Sequence, residues 1–139
     1  MHAAKLERQT LQTATRNEMV ELTADVQRLV AQAGIVSGMA IVFVAHTTAA
    51  VTINENADPD VKTDLLRRLE ALVPYNDQHD QHDEGNSDSH LKASLVGHSV
   101  TVLIEAGRLQ LGRWQGIYFC EFDGPRERRV LVKLVSFDA

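Results

Sequence analysis

Cysteine is almost absent from this chain. Cys120 is the one thiol in 139 residues, so no disulfide can form within the chain. That suits a reducing compartment, and a cytoplasmic protein is expected. Aromatic residues make up only 5%, and the formal net charge is −5. Nucleic-acid surfaces carry clustered bases with stacking aromatics, so this composition argues against such a partner. Arg126, Arg128 and Arg129 are the one local cluster of bases. No run of about eighteen apolar residues occurs, so no membrane span is expected. The opening, Met1 to Arg8, lacks the apolar core of a signal peptide. A glycine-rich phosphate loop of recognised spacing is missing as well. The partners left are small molecules, metals and other copies of the chain.

What is present suits one domain spanning 1–139. At 44% hydrophobic, the chain can bury a core. Residues 4–13 read as a strand. Thr15 and Glu18 have capping-box spacing, and Met19, Leu22, Val26, Leu29, Val30 and Ala33 repeat at helical period up to Gly34. A helix is therefore predicted from Thr15. Residues 39–45 are apolar on both faces and read as a central strand, followed by another at 50–55. Asp58 and Pro59 begin a second helix, with Val61, Leu65, Leu69 and Leu72 as its buried stripe and Pro74 as its stop. A short helix is expected from about His90 to Val96, then strands at 98–105, 116–123 and 129–137. Strands that cluster rather than alternate with helices predict an α+β fold. Its mainly antiparallel sheet or sandwich would be packed by two main helices and one short one.

The chemistry concentrates in the polar stretch between the second helix and the short one. His79, His82 and His90 fall within twelve residues there, beside Asp77, Asp80, Asp83 and Glu84. Neutral imidazole is the commonest zinc ligand, so this cluster is a candidate metal site; a solvated acidic loop is the plainer alternative. His79 is the weakest candidate, because nothing fixes its direction. His46 closes the central strand, as a ligand or as a strand-end residue bonded to a backbone carbonyl. Glu55 and Glu121 are acids on apolar strand faces, where an unpaired carboxylate is costly. Glu121 reads as an acid or base, as a partner orienting a histidine, or as an ion pair with Arg126 or Arg128. If 39–55 is a tight hairpin, Glu55 lies about four residues from the partner of His46, roughly 13 Å at strand rise. The two would then share a site only through another subunit. Cys120 has no activating base beside it and reads as core. Trp114 is a packing anchor or a pocket wall. Lys92, Arg113 and Arg126 are candidate phosphate contacts.

Three stretches occur in a telling order: His46-Thr-Thr-Ala-Ala-Val-Thr-Ile-Asn-Glu55-Asn; His82-Asp-Glu-Gly-Asn-Ser-Asp-Ser-His90-Leu-Lys-Ala-Ser-Leu; and Gly107-Arg-Leu-Gln-Leu-Gly-Arg-Trp114-Gln115-Gly-Ile-Tyr-Phe-Cys-Glu121-Phe-Asp-Gly-Pro-Arg126. Together they resemble the YjbQ-like family, called secondary thiamine-phosphate synthase enzymes, over essentially the whole chain. The resemblance implies a small α+β homotrimer with a divalent metal held near His46, His82 and His90. Zinc is expected from nitrogen ligands, and magnesium is disfavoured. Glu55, Trp114, Gln115 and Glu121 fall on family motif positions, and the two acids are expected to act as acid or base. Trp114, Gln115, Thr47, Asn86, Lys92 and Arg126 would then contact a phosphorylated small molecule. The implied reaction joins an aminopyrimidine methyl pyrophosphate to a thiazole phosphate and releases pyrophosphate. A metal-dependent hydrolase and a non-enzymatic metal- or ligand-binding trimer are the competing readings. Family members usually carry threonine before Trp-Gln, where this chain has Arg113.

Overall fold

The structure, a computed structural model, describes residues 4–138. The expected α+β architecture with antiparallel sheets is what it shows. The strands are β1 (Ala4–Gln12), β2 (Glu18–Glu21), β3 (Gly38–Val44), β4 (Ala49–Glu55), β5 (Ser99–Glu105), β6 (Arg108–Leu109), β7 (Gln115–Glu121) and β8 (Glu127–Ser136). The helices are α1 (Thr23–Ala33), α2 (Pro59–Leu72) and α3 (Ser87–Val96). Five strands pair in the order β1-β8-β3-β5-β6 and three in the order β2-β7-β4, every pair antiparallel.

The smaller sheet is wedged between two apolar layers. One of its faces offers Val51, Ile117 and Phe119 to the inner face of the larger sheet (Val42, Val44, Val102, Val130, Val132, Leu134) and to Val26, Leu29 and Val30 of α1. The other offers Met19, Ala50, Tyr118 and Cys120 to Leu65, Leu66 and Leu69 of α2 and to Ala93 and Val96 of α3. Strand β7 is thus buried on both faces from Gly116 onward, which is why its sequence is nearly continuous in apolar residues. Burying each such side chain stabilises the fold by about 1.5–3 kcal/mol.

Local signals explain the start of α2 and the end of α1. Asp58 accepts a bond from the Asp60 amide at 2.9 Å, and Pro59 opens α2. Gly34 takes φ 69° where α1 ends.

Several expectations need correction. No helix begins at Thr15. Glu18 does accept the Thr15 amide at 3.4 Å, but the Thr15 hydroxyl donates to the Asn17 carbonyl. That closes a turn, and residues 18–21 pair with β7 instead. Met19 sits three residues before Leu22, yet the two face different apolar clusters. Residues 39–55 make no hairpin, because β3 belongs to the larger sheet and β4 to the smaller. The stripe on α2 is only half-buried, and Leu72 is 75% exposed. Phe43 lies on the outer face of β3 and is 42% exposed, so that strand is covered fully on one side alone. Helix α3 begins at Ser87, three residues earlier than expected. The short strand β6 stands where only a turn was expected. Among the described residues, no helix is long and apolar enough to cross a membrane.

Candidate functional site

A buried polar network gathers where β7 ends and α3 begins. Glu121 follows the inward parity of Ile117 and Phe119 but carries a carboxylate, and it is fully buried. Arg128, reaching across from β8, donates through Nε to Glu121 Oε1 at 2.8 Å and through Nη2 to Glu121 Oε2. Thr13 Oγ1 donates at 2.7 Å and the Asp123 amide at 2.9 Å. Burial pushes the Glu121 carboxyl up, but these donors together hold it below the usual value. Arg128 also donates to the carbonyl and hydroxyl of Thr48, at 3.2 and 2.9 Å. Of the readings of Glu121, the ion pair with Arg128 is what the geometry contains.

The network continues into α3. Asn86 stands at the cap position yet its side chain does not cap the helix. Its Nδ2 donates to Asp123 Oδ2 at 2.7 Å, and its buried Oδ1 has no hydrogen-bond donor. Ser89 donates to the Phe122 carbonyl, which ties the first turn of α3 to the end of β7. Arg16 reaches Asp123 at 3.2 Å and Asp88 at 3.0 Å, with its guanidinium 3.7 Å from the Tyr75 ring centre. Lys92 is buried, and its ammonium lies 2.8 Å from Glu70 and 3.5 Å from Asp88 Oδ2. Arg126 holds Asp123 from the exposed side at 3.1 Å. Lys92 and Arg126, expected to face a phosphate, are thus each engaged with carboxylates here. Asp88 Oδ2 is a second buried oxygen without a hydrogen bond.

Two of the three expected histidine ligands come together. The rings of His82 and His90 stand edge-on, with centroids 5.4 Å apart. A turn bonding the Gly85 amide to the His82 carbonyl brings His82 back toward the helix. Gly85 supports that turn at φ 68°. Glu84 lies 3.9 Å from His82 Nε2. His79 is exposed, its amide bonded to Asp77. His46 is elsewhere: beyond β3, its Nε2 accepts the Arg129 amide at 2.8 Å. Burial, then Arg128 and Arg129, keep its pKa below 6.5. Among the described residues of one chain, no three His, Cys, Asp or Glu side chains stand together as a ligand set.

The remaining motif residues lie at the other end of β7. Glu55 pairs in register with Gln115, whereas Ala49 pairs with Glu121. Glu55 is therefore about 20 Å from Glu121 at strand rise. Trp114 is 52% exposed, with the Arg113 guanidinium 4.7 Å from its ring centre. Gln115 accepts the Gly112 amide at 2.7 Å, and Glu55 accepts the Asp58 amide at 3.2 Å. Thr47 is exposed at the His46 end. Sequence reasoning passed over Thr13, Arg16, Thr48 and Asp123. Only the last gave any signal, as an acid continuing an apolar strand.

Comparisons with known proteins identify the family and its fold. The family model described as "UPF0047 protein YjbQ-like" matches residues 7–136. UPF0047 protein YugU of Bacillus subtilis is 51% identical over 126 residues, covering 91% of this chain and 96% of the relative. A UPF0047 protein of Methanocaldococcus jannaschii is 47% identical, covering 91% of each. A crystal structure of a YjbQ/UPF0047 family protein from Clostridium acetobutylicum superposes with a TM-score of 0.90 at 49% identity, covering 92% of this chain and 98% of that one. A protein of unknown function from Sulfolobus solfataricus gives 0.91 at 30% identity, covering 98% and 99%. With the family matched across nearly all its length and its fold reproduced, the chain belongs to the UPF0047 YjbQ-like family.

Proposed function

We propose that this protein is a metal-dependent enzyme of thiamine-phosphate synthase type, weak in that activity, with His82 and His90 holding a zinc ion. The observation that carries the reading is the 5.4 Å separation of those rings. Two imidazoles sharing one tetrahedral zinc, each bonded at about 2.0–2.1 Å, have centroids about 5 Å apart. The pair adjoins the first turn of α3, where Asn86 Oδ1 is buried without a donor. An unsatisfied buried oxygen costs about 1–3 kcal/mol, which a donor reaching it would recover. The amino group of an aminopyrimidine would satisfy it. A bound zinc would supply Lewis-acid neutralisation of the departing pyrophosphate.

The chain's own residues do the rest. Arg16 and Arg126 hold Asp123, and Arg16 and Lys92 hold Asp88, so the charges beside the site are paired and serve to position it. Glu121 and Arg128 act as a rigid buried support. Both Glu121 oxygens are taken, which weighs against a hydrolase using it as base. Trp114, Gln115 and Glu55 are too distant to join this site within one chain. In the homotrimer we propose, they serve a neighbouring copy. The outer face of the larger sheet, with Met39, Ile41 and Leu103 half-buried or exposed, offers apolar surface for such packing.

Elemental analysis tests the metal, and pyrophosphate release tests the reaction. Wild-type protein should hold zinc, and His82→Ala with His90→Ala should lose it. Pyrophosphate release should need both organic substrates. Unchanged metal content in the double variant would defeat the site assignment.

A further inference from the structure

The hydrogen bond at His46 fixes more than the ring's position. A neutral imidazole has one N–H and one lone pair. The Nε2 lone pair is spent on the Arg129 amide at 2.8 Å, so the proton sits on Nδ1. A metal ligand needs a lone pair, and Nδ1 could provide one only if the ring became an imidazolate. As held here, His46 is a hydrogen-bond donor.

The donor borders a depression. A concavity of about 480 Å³ is lined by Phe43, Val44, Ala45, His46, Thr47 and His98. It is shallow and widely open to solvent, so it would hold the anionic end of a ligand rather than enclose the whole molecule. No carboxylate lines it, in a chain whose net charge is −5. His46 Nδ1–H, the exposed Thr47 hydroxyl and the half-exposed His98 ring are all capable of donating. The neighbouring Arg128 and Arg129 act on His46 with positive potential, and the buried Glu121 carboxylate opposes them. His98 is fixed by its backbone, whose carbonyl accepts the Val44 amide at 2.8 Å. The partly exposed Phe43 supplies an apolar wall.

We propose that this depression is an oxyanion subsite, in which His46, Thr47 and His98 grip the phosphate or carboxylate of a small ligand whose organic part rests on Phe43. The subsite does not depend on the metal reading, since neither His82 nor His90 lines it. It gives His46 a role other than ligand.

Nitrogen-15 imidazole NMR on the full chain tests both parts, with separate zinc and inorganic phosphate titrations. The His46 shifts should report the Nδ1–H tautomer. Phosphate should move His46 and His98. Zinc should move His82 and His90 and leave His46 in place. Thr47→Val and His98→Ala, both outside the core, should each weaken phosphate about tenfold, the effect of one lost bond to a charged group. An Nε2–H tautomer, zinc coordination at His46, or phosphate shifts undiminished in both variants overturns the proposal. If zinc moves no histidine while phosphate behaves as described, the metal reading fails and the subsite stands. If zinc binds His82 and His90 while phosphate leaves His46 and His98 unmoved, the reverse holds.

Discussion

Replacing Arg128 with methionine should cripple the fold far more than its surface-exposed neighbours would suggest. The guanidinium is 2% exposed and bonds both oxygens of Glu121 together with the carbonyl and hydroxyl of Thr48. Arg128→Met leaves Glu121 in place as a buried carboxylate with only Thr13 and the Asp123 amide. Removing one partner of a buried ion pair costs about 3–5 kcal/mol. In a domain of this size each kcal/mol moves Tm by about 2–4 °C, so a fall of roughly 6–20 °C is expected. Charge, rather than lost packing, is the cause. Adding Glu121→Gln to Arg128→Met should therefore recover much of the loss, since neither position then leaves an unpaired buried charge. Acid should narrow the gap as well. The wild-type Glu121 carboxyl is held below 4.5, so its contribution is complete above that pH and disappears as pH falls through the lower folded value. Thermal melts by circular dichroism at one protein concentration, across pH 3.5–7 for the four proteins of the cycle, give the comparison. A drop of less than about 3 °C for Arg128→Met, or strictly additive effects in the double variant, refutes the reasoning.

Further outcomes follow from single features. A Cβ at Gly38 would overlap the Val135 carbonyl oxygen, so Gly38→Ala should push β3 from β8 and cost at least the roughly 1–3 kcal/mol of overpacking, read as a lowered Tm. Burial pushes the Cys120 thiol up to about 12, so a thiol-specific disulfide reagent at pH 8 should label it only after denaturation. The His46 pKa is lowered from 6.5, so its neutral ring favours the folded state above that pH, and this advantage is lost as pH falls through the folded value. His46→Phe should then flatten the stability profile just below pH 6.5, as melts across pH 5–7.5 will show.

The parts of the fold visible in the sequence were those governed by neighbours along the chain. Asp58 and Pro59 start α2 because cap and proline act within one turn. The β-branched run at 39–45 became β3 because its parity alone buries Val42 and Val44. The region around Thr15 misled because its cap spacing is also turn chemistry. Whether residues 18–21 form helix or strand is decided by β7, nearly a hundred residues later in the chain. The histidines stood out because the stretch around them is too polar for core. The polar network did not, because Thr13 and Glu121 are 108 residues apart and Thr13 looks like any strand-end threonine. Arg16 likewise gains its meaning only from Asp88 and Asp123, which folding brings to it.

Strand β7 has a further consequence, for how this chain can change over time. Its alternate residues pack opposite apolar layers. Adding or deleting one residue there would not simply stretch or shorten the strand. Beyond that point every side chain would swap sides, turning Glu121 from Arg128 into the greasy layer beneath α2 and α3. Between Trp114 and Asp123 the chain should therefore tolerate exchange of residues better than the gain or loss of a single one.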